Sequence, residues 1–211
     1  MSARTSFNSA RGQQGAHLAR WMMFVDGEGL AIRGRELLHE LSKEPDTGKL
    51  FEPDIFLWTG AAPVPRQLFQ PLYDAPLEEF AIRWHYYTAL QGDDVRRNSV
   101  RDRLQALGFD AHVFKKTARK SKGVDITLAR DFLSHAYRDN FDAAVLVAGD
   151  ADFVPLVEEV KRLGKQVFVL FFAAHGTGDE LKRHADTFFD FEPKFRDYWV
   201  NAPGVLPWSS G

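Results

Sequence analysis

The sequence predicts an α/β protein with helices on both faces of a mainly parallel sheet. Three observations carry this. Continuous apolar runs at residues 21–25, 143–148 and, behind Gln166, 167–172 fit short strands buried on both faces. Segments with helical apolar spacing alternate with them, the order that gives parallel strands joined by right-handed crossovers. The run 143–148 breaks at Gly149 into Asp150 and Asp152, with a helical pattern directly behind. This is the strand-to-helix turn where open α/β sheets keep their sites.

In chain order, residues 1–19 lack periodicity and read as a disordered N-terminal arm. Its acid-free, Arg- and Ser-containing composition only faintly resembles a transit segment. The first strand, 21–25, runs into Asp26-Gly27-Glu28-Gly29. A helix follows from Leu30 to about Leu41, and Pro45 closes it. Residues 55–58 fit a short strand, 60–65 a turn-rich break. A partly helical stretch at 67–80 is limited by Pro71 and Pro76. Aromatic and β-branched residues mark 82–88 as a strand whose rings belong to the core. Residues 93–107 form a helix ended by Gly108, and 109–114 alternates as a strand.

Next comes the run 115–122, with five basic residues in eight: Lys115, Lys116, Arg119, Lys120 and Lys122. Gly123-Val124-Asp125 opens a helix with Ile126, Ala129, Phe132, Leu133 and Ala136 on its apolar face. The helix behind Asp152 carries Pro155 in its first turn and has Gly164 at its C-terminal stop. Residues 179–185 form a short helix, 188–191 an edge strand, and 193–211 an irregular tail.

Composition narrows the chemistry. The 211 residues suffice for one sizeable core. Net charge is −2, so any contact with a polyanion must come from a local basic patch. There is no cysteine, which removes disulfides, thiolate nucleophiles and Cys-type zinc sites together. No two of the seven histidines stand at the close spacing of a local zinc motif, which favours oxygen ligands and hence Mg²⁺ or Mn²⁺. No apolar run approaches the ~20 residues of a membrane span, and a cytoplasmic location is expected. Gly27, Gly29 and Gly34 do not make a dinucleotide fingerprint, and no Walker A sequence occurs.

In a parallel sheet all strand C-termini share one edge, so Asp26, Asp125, Asp150 and Asp152 are expected at one rim. Carboxylates gathered there repel one another, so either their pKa values rise or a divalent cation neutralises them. Singly, Asp152 could be a helix cap, Asp125 another, and Asp26 part of a turn. Asp131, six residues after Asp125 on a helix, points elsewhere and reads as structural. His39 and His135 read as surface or packing residues. The basic run beside the acids suits phosphate binding; its plain alternative is a solvated loop.

At these residues the chain resembles the NYN family of PIN-like nuclease domains, over roughly 21–191. The matching segments are residues 24–30, the Lys122-Gly123-Val124-Asp125 helix start, residues 147–155, and 181–191 with Ala185 and Asp186. The resemblance implies a PIN-like, Rossmann-like three-layer α/β/α sandwich over 20–192, with 42–80 as an atypically long insertion. It also implies Mg²⁺- or Mn²⁺-dependent ribonuclease chemistry, with Asp26, Asp125, Asp150 and Asp152 as catalytic metal ligands. Gly29 stands where the family usually has Asn, and Ala148 and Ala151 where it has Ser. The function expected is hydrolysis of single-stranded RNA, with Lys115, Lys116, Arg119, Lys120 and Lys122 on its phosphates and a homodimer as one form of assembly. Two alternatives stand beside it. One is a catalytically weak or inactive module that binds RNA or protein. The other, a phosphatase of the haloacid dehalogenase type, is disfavoured because Glu28 stands where that family needs a second Asp.

Overall fold

The computed structural model describes residues 18–42, 51–52, 55–56, 78–116, 122–174 and 178–196. Residues 1–17 of the expected N-terminal arm, most of 42–80, residues 117–121 and most of the C-terminal tail lie outside them; residues 18 and 19, expected in the arm, are strand because they pair with residues 78 and 79.

The elements are β1 (Leu18–Asp26), α1 (Gly27–Glu40), β2 (Phe51–Glu52), β3 (Ile55–Phe56), β4 (Glu78–Leu90), α2 (Asp94–Ala106), β5 (Phe109–Lys115), α3 (Lys122–Tyr137), β6 (Ala143–Val147), a 3₁₀ turn (Ala151–Phe153), α4 (Val154–Arg162), β7 (Gln166–Phe171), α5 (Asp179–His184), β8 (Thr187–Asp190) and α6 (Glu192–Phe195). Six strands form one sheet in the order β5-β4-β1-β6-β7-β8, with every pairing parallel. β2 and β3 pair separately as a short antiparallel ribbon. Numbered by their turn in the chain, the six main strands lie 3-2-1-4-5-6, the doubly wound Rossmann order. The order reverses between β1 and β6, the position at which open α/β sheets keep their ligand sites.

The two-residue pleat divides the core between two faces. Trp21, Met23 and Val25 of β1 join Leu30, Leu37 and Leu38 of α1 and Val100 and Leu104 of α2. Met22 and Phe24 join Val124, Leu128, Phe132 and Ala136 of α3 and Leu156, Val157 and Val160 of α4. Helices therefore cover both sides, making the expected three layers. Phe24 is fully buried and stacks on Phe132 at 4.4 Å. A side chain of that size contributes about 1.5–3 kcal/mol when buried.

Several elements differ from expectation. α1 begins at Gly27 rather than Leu30, because the Asp26 carboxylate caps it. β4 begins at Glu78, so the end of the stretch expected to be partly helical is strand. It runs to Leu90 because it pairs with β1 along its first part and with β5 along its last. Ile126, expected on the apolar face of α3, is 66% exposed, and Val124 and Leu128 face the core instead. At residue 193, where an irregular tail was expected, the chain is within α6, held by the buried rings of Phe191 and Phe195. Among the described residues, no helix is long and apolar enough to cross a membrane.

Candidate active site

Three strand-to-helix junctions meet at the C-terminal rim of the sheet. At the first, β1 ends in Asp26, whose Oδ1 accepts a hydrogen bond from the Gly29 N–H at 2.9 Å. This satisfies one of the orphan donors that open a helix. Gly27 lets α1 start against β4, since a Cβ there would lie 2.2 Å from the Tyr86 ring. Gly29 leaves room for the acid: a Cβ there would lie 2.3 Å from Asp26 Oδ2. The bare backbone at 29 thus gives the Asp26 carboxylate its seat over the helix start.

At the second junction, β6 ends and Asp150 turns the chain. Its Oδ1 accepts from the Asp152 N–H at 2.9 Å and caps the 3₁₀ turn that leads into α4. Asp150, not Asp152, is therefore the capping residue, and Asp152 is left exposed in the turn. Pro155 sits at the start of α4, where no N–H is needed. At the third junction, Asp125 lies in the first turn of α3.

The carboxylates from these junctions act on one another. Asp26 is buried, with 6% of its surface accessible. Burial above all, with smaller pushes from Asp125, Glu28 and Asp150, raises its pKa to about 7 against the pull of the Gly29 N–H. Asp125 lies on the exposed side of the rim. Partial burial of its carboxyl still raises its pKa, and the charges of Asp150, Glu28 and Asp152 add to the shift. The four aspartates named from sequence therefore share one electrostatic neighbourhood, at the point where the strand order reverses.

Glu28 is a fifth member that the sequence reading did not choose. Its signal was its position, two residues after Asp26 in the first turn of α1, where negative charge also suits the helix dipole. Lys116 Nζ stands 2.7 Å from Glu28 Oε1, so this lysine reaches the acidic rim directly. Lys115 is exposed at the end of β5, and Lys122 is the first residue of α3. Arg119 and Lys120 lie outside the described residues. Asp131, read as structural, accepts from the Tyr87 hydroxyl at 3.1 Å and pairs with Arg130 at 2.8 Å. His39 is exposed, and His135 packs its ring near Phe24 and His85.

Residues 20–192 match the NYN domain. The chain belongs to the NYN domain family. That membership implies nuclease-like function, and NYN nucleases are generally divalent-metal dependent and act on RNA. No curated protein matches this NYN chain by sequence. Among solved structures, it is similar to a protein of unknown function from Vibrio parahaemolyticus RIMD 2210633. The two are 20% identical with a TM-score of 0.56, over 84% of this chain and 96% of that one. At that identity the likeness speaks for the fold alone.

A donor set made wholly of carboxylates fits a hard cation. The buried, charge-crowded Asp26 is the group that such a cation would relieve most.

Proposed function

We propose that this NYN domain is a metal-dependent ribonuclease that hydrolyses phosphodiester bonds of single-stranded RNA. The observation that supports it most is the crowding of Asp26: a buried carboxyl, raised to about 7, with Asp125, Glu28 and Asp150 pressing on it. Holding a carboxylate buried, with other carboxylates beside it, costs stability unless a cation occupies the rim. Asp26, Asp125 and Asp150 would hold Mg²⁺ or Mn²⁺, with Asp152 as a further ligand or support. When bound, such a cation supplies an activated water and charge stabilisation for a departing phosphodiester oxygen.

The chain's own residues provide the rest. The Gly29 N–H and the Asp152 N–H hold the carboxylates of Asp26 and Asp150 in place, leaving an oxygen of each uncommitted by those bonds. Lys115, Lys116, Arg119, Lys120 and Lys122 would bind RNA phosphates next to the rim. Lys116 also neutralises Glu28, which limits how much negative charge the backbone of an incoming RNA must meet.

A second reading keeps the fold and the binding but not the turnover. Gly29 favours it, since a side-chain amide at 29 is replaced by a backbone contact to Asp26, and Ala148 and Ala151 remove neighbouring hydroxyls. Mn²⁺ titration by calorimetry on the parent and on Asp150→Asn, beside cleavage of a short single-stranded RNA, separates the two. Mn²⁺ binding lost in the variant, with metal-dependent cleavage by the parent, is the expected result. Mn²⁺ binding without cleavage would make the domain an RNA-holding member. Cleavage equal in parent and Asp150→Asn would remove the aspartate rim from the chemistry.

A further inference from the structure

A second constellation lies on the α3 face of the sheet, away from the carboxylate rim. Parallel pairing of β4 with β5 sets His85 beside Asp110 and Tyr87 beside His112. Residues two apart on a strand share a face, so His85, Asp110 and His112 project together. Each can offer one ligating atom such that all three atoms lie within 4.8 Å of one another. His85 Nδ1 is 3.7 Å from Asp110 Oδ2, and His112 Nε2 is 3.7 Å from Asp110 Oδ1. His135 of α3 brings a third imidazole 5.0 Å from the ring of His85.

Proximity alone does not make a site; the state of the donors does. The His85 side chain is 3% exposed, and neither of its ring nitrogens has a hydrogen-bond partner. His112 Nε2 is likewise buried and unpartnered. A buried polar atom left unmatched costs about 1–3 kcal/mol, and such atoms are few in native proteins. Here three of them lie on two rings, and two, His85 Nδ1 and His112 Nε2, flank one carboxylate. The spacing is too long for hydrogen bonds and close to that of ligands around one ion. Bonds of about 2.0–2.1 Å in a tetrahedron separate ligands by roughly 3.4 Å. Asp110 keeps 42% of its side chain accessible, which gives water a path to a fourth position. Its other neighbour is Arg83, whose Nη1 is 3.6 Å away on the exposed side.

We propose that His85, Asp110 and His112 form a binding site for a divalent transition metal of the zinc type, distinct from the aspartate rim. Two imidazoles and a carboxylate are borderline ligands suited to Zn²⁺ or Co²⁺, in contrast to the all-oxygen rim suited to Mg²⁺ or Mn²⁺. The ion ties the outermost strand β5 to β4, and so fixes the strand that delivers Lys115 and Lys116. Asp131, held by Tyr87 and Arg130, has its Oδ2 3.8 Å from the same His112 Nε2 and so adds a further carboxylate oxygen at the edge of the group.

The test uses the whole chain, freed of metal by chelation and dialysis, with Zn²⁺ and Co²⁺ as probes. Saturating Zn²⁺, at about 100 times Kd, should raise Tm by roughly 5–10 °C, and Co²⁺ should give visible absorption of a low-coordinate nitrogen–oxygen site. Asp110→Asn and His112→Gln, both at partly exposed positions, should each lose the Tm rise and the Co²⁺ band. Asp150→Asn should keep both. No band and no Tm rise in the parent would overturn the proposal, as would retention of both in Asp110→Asn and His112→Gln. Loss confined to Asp150→Asn would assign the metal to the aspartate rim instead. Because Asp150→Asn is silent here and decisive for RNA cleavage, failure of this site and failure of the nuclease reading are distinguishable.

Discussion

The two edges of the sheet handle charge in opposite ways. At the N-terminal edge several acids of the described residues are paired with cations across strands. Arg20 grips Asp142 with two guanidinium nitrogens, at 2.8 and 3.2 Å, and its Nη1 donates to the Asp139 carbonyl at 2.7 Å. Asp139 also pairs with Lys165. One strand further out, Asp186 accepts from the Val167 N–H at 2.7 Å and pairs with Lys161 at 3.0 Å. At the C-terminal edge, Asp26, Asp125, Asp150 and Asp152 share one electrostatic neighbourhood, and among the described residues Lys116 pairs with Glu28. One edge closes strand starts by matching ions. The other keeps like charges together, which costs stability and suits the capture of a cation. The two edges thus differ in charge balance more than in charge content, and it is the unbalanced acids that a cation would seek.

Three substitutions would break or sharpen that contrast. The largest effect is expected for Asp150→Asn. RNA cleavage should fall by about 100-fold or more, since even residues behind metal ligands cost 10–100-fold, while Tm stays level or rises. A Tm loss of several degrees would instead make the charge of Asp150 structural, like that of the acids at the other edge.

Asp26→Asn comes next, read as stability against pH without metal. The folded state holds the Asp26 proton up to about pH 7, whereas the unfolded chain releases it near 3.8. The folded state thus binds more protons across that window, so stability falls as pH rises from about 4 to 7, by ~1.4 kcal/mol per pH unit at most. His85 works the other way: burial lowers its pKa to about 4, so the fold gains stability as pH rises from there towards 6.5. Comparing parent with variant cancels the histidine. Asn keeps the cap to Gly29, so the variant should be the more stable protein at pH 8, and excess Mn²⁺ should narrow the gap by stabilising the parent only. A variant less stable than the parent at pH 8 would show that the rim is not strained.

The smallest effect belongs to the matched edge. Arg20 holds the Asp142 pKa below the usual carboxylate range, chiefly through its side-chain hydrogen bond. A lowered folded pKa gives stability that is present above the ordinary carboxylate pKa and lost as pH falls through the lowered value. Arg20→Gln should cost about 0.5–1 kcal/mol at pH 7, since these side chains are 35% and 45% exposed, and the difference should vanish at acid pH. Chemical denaturation at pH 7 and pH 3 checks this.

The sheet was legible because its central strands are uniformly apolar. Residues 143–148 and 167–172 are buried without exception, and nothing but a two-sided strand suits such runs. The rim was legible because parallel strands place their ends together whatever the sequence separation. Glu28 was not, since one carboxylate in a helix start looks like ordinary helix-dipole chemistry until Lys116 and Asp26 are placed around it. The His85–Asp110–His112 group was invisible for a different reason. Histidines 27 residues apart have no local spacing to read, and only the β4–β5 register turns them into neighbours. Ile126 misled because a helix beginning with Val124 inward places 128 and 132 inward, and so turns 126 out.

The strand order also has a temporal side. β6 and β7 are separated only by a turn and one helix, so their pairing needs a small loop closure. β1 and β6 must instead find each other across 122 residues, the separation of Arg20 from Asp142. Closing long loops is slow, and contacts between distant segments come late in folding. The seam that closes last is therefore the one that brings Asp26 to Asp150. A nascent chain would carry Asp26 and Asp150 in separate halves, and would hold no assembled cation site until that seam had formed.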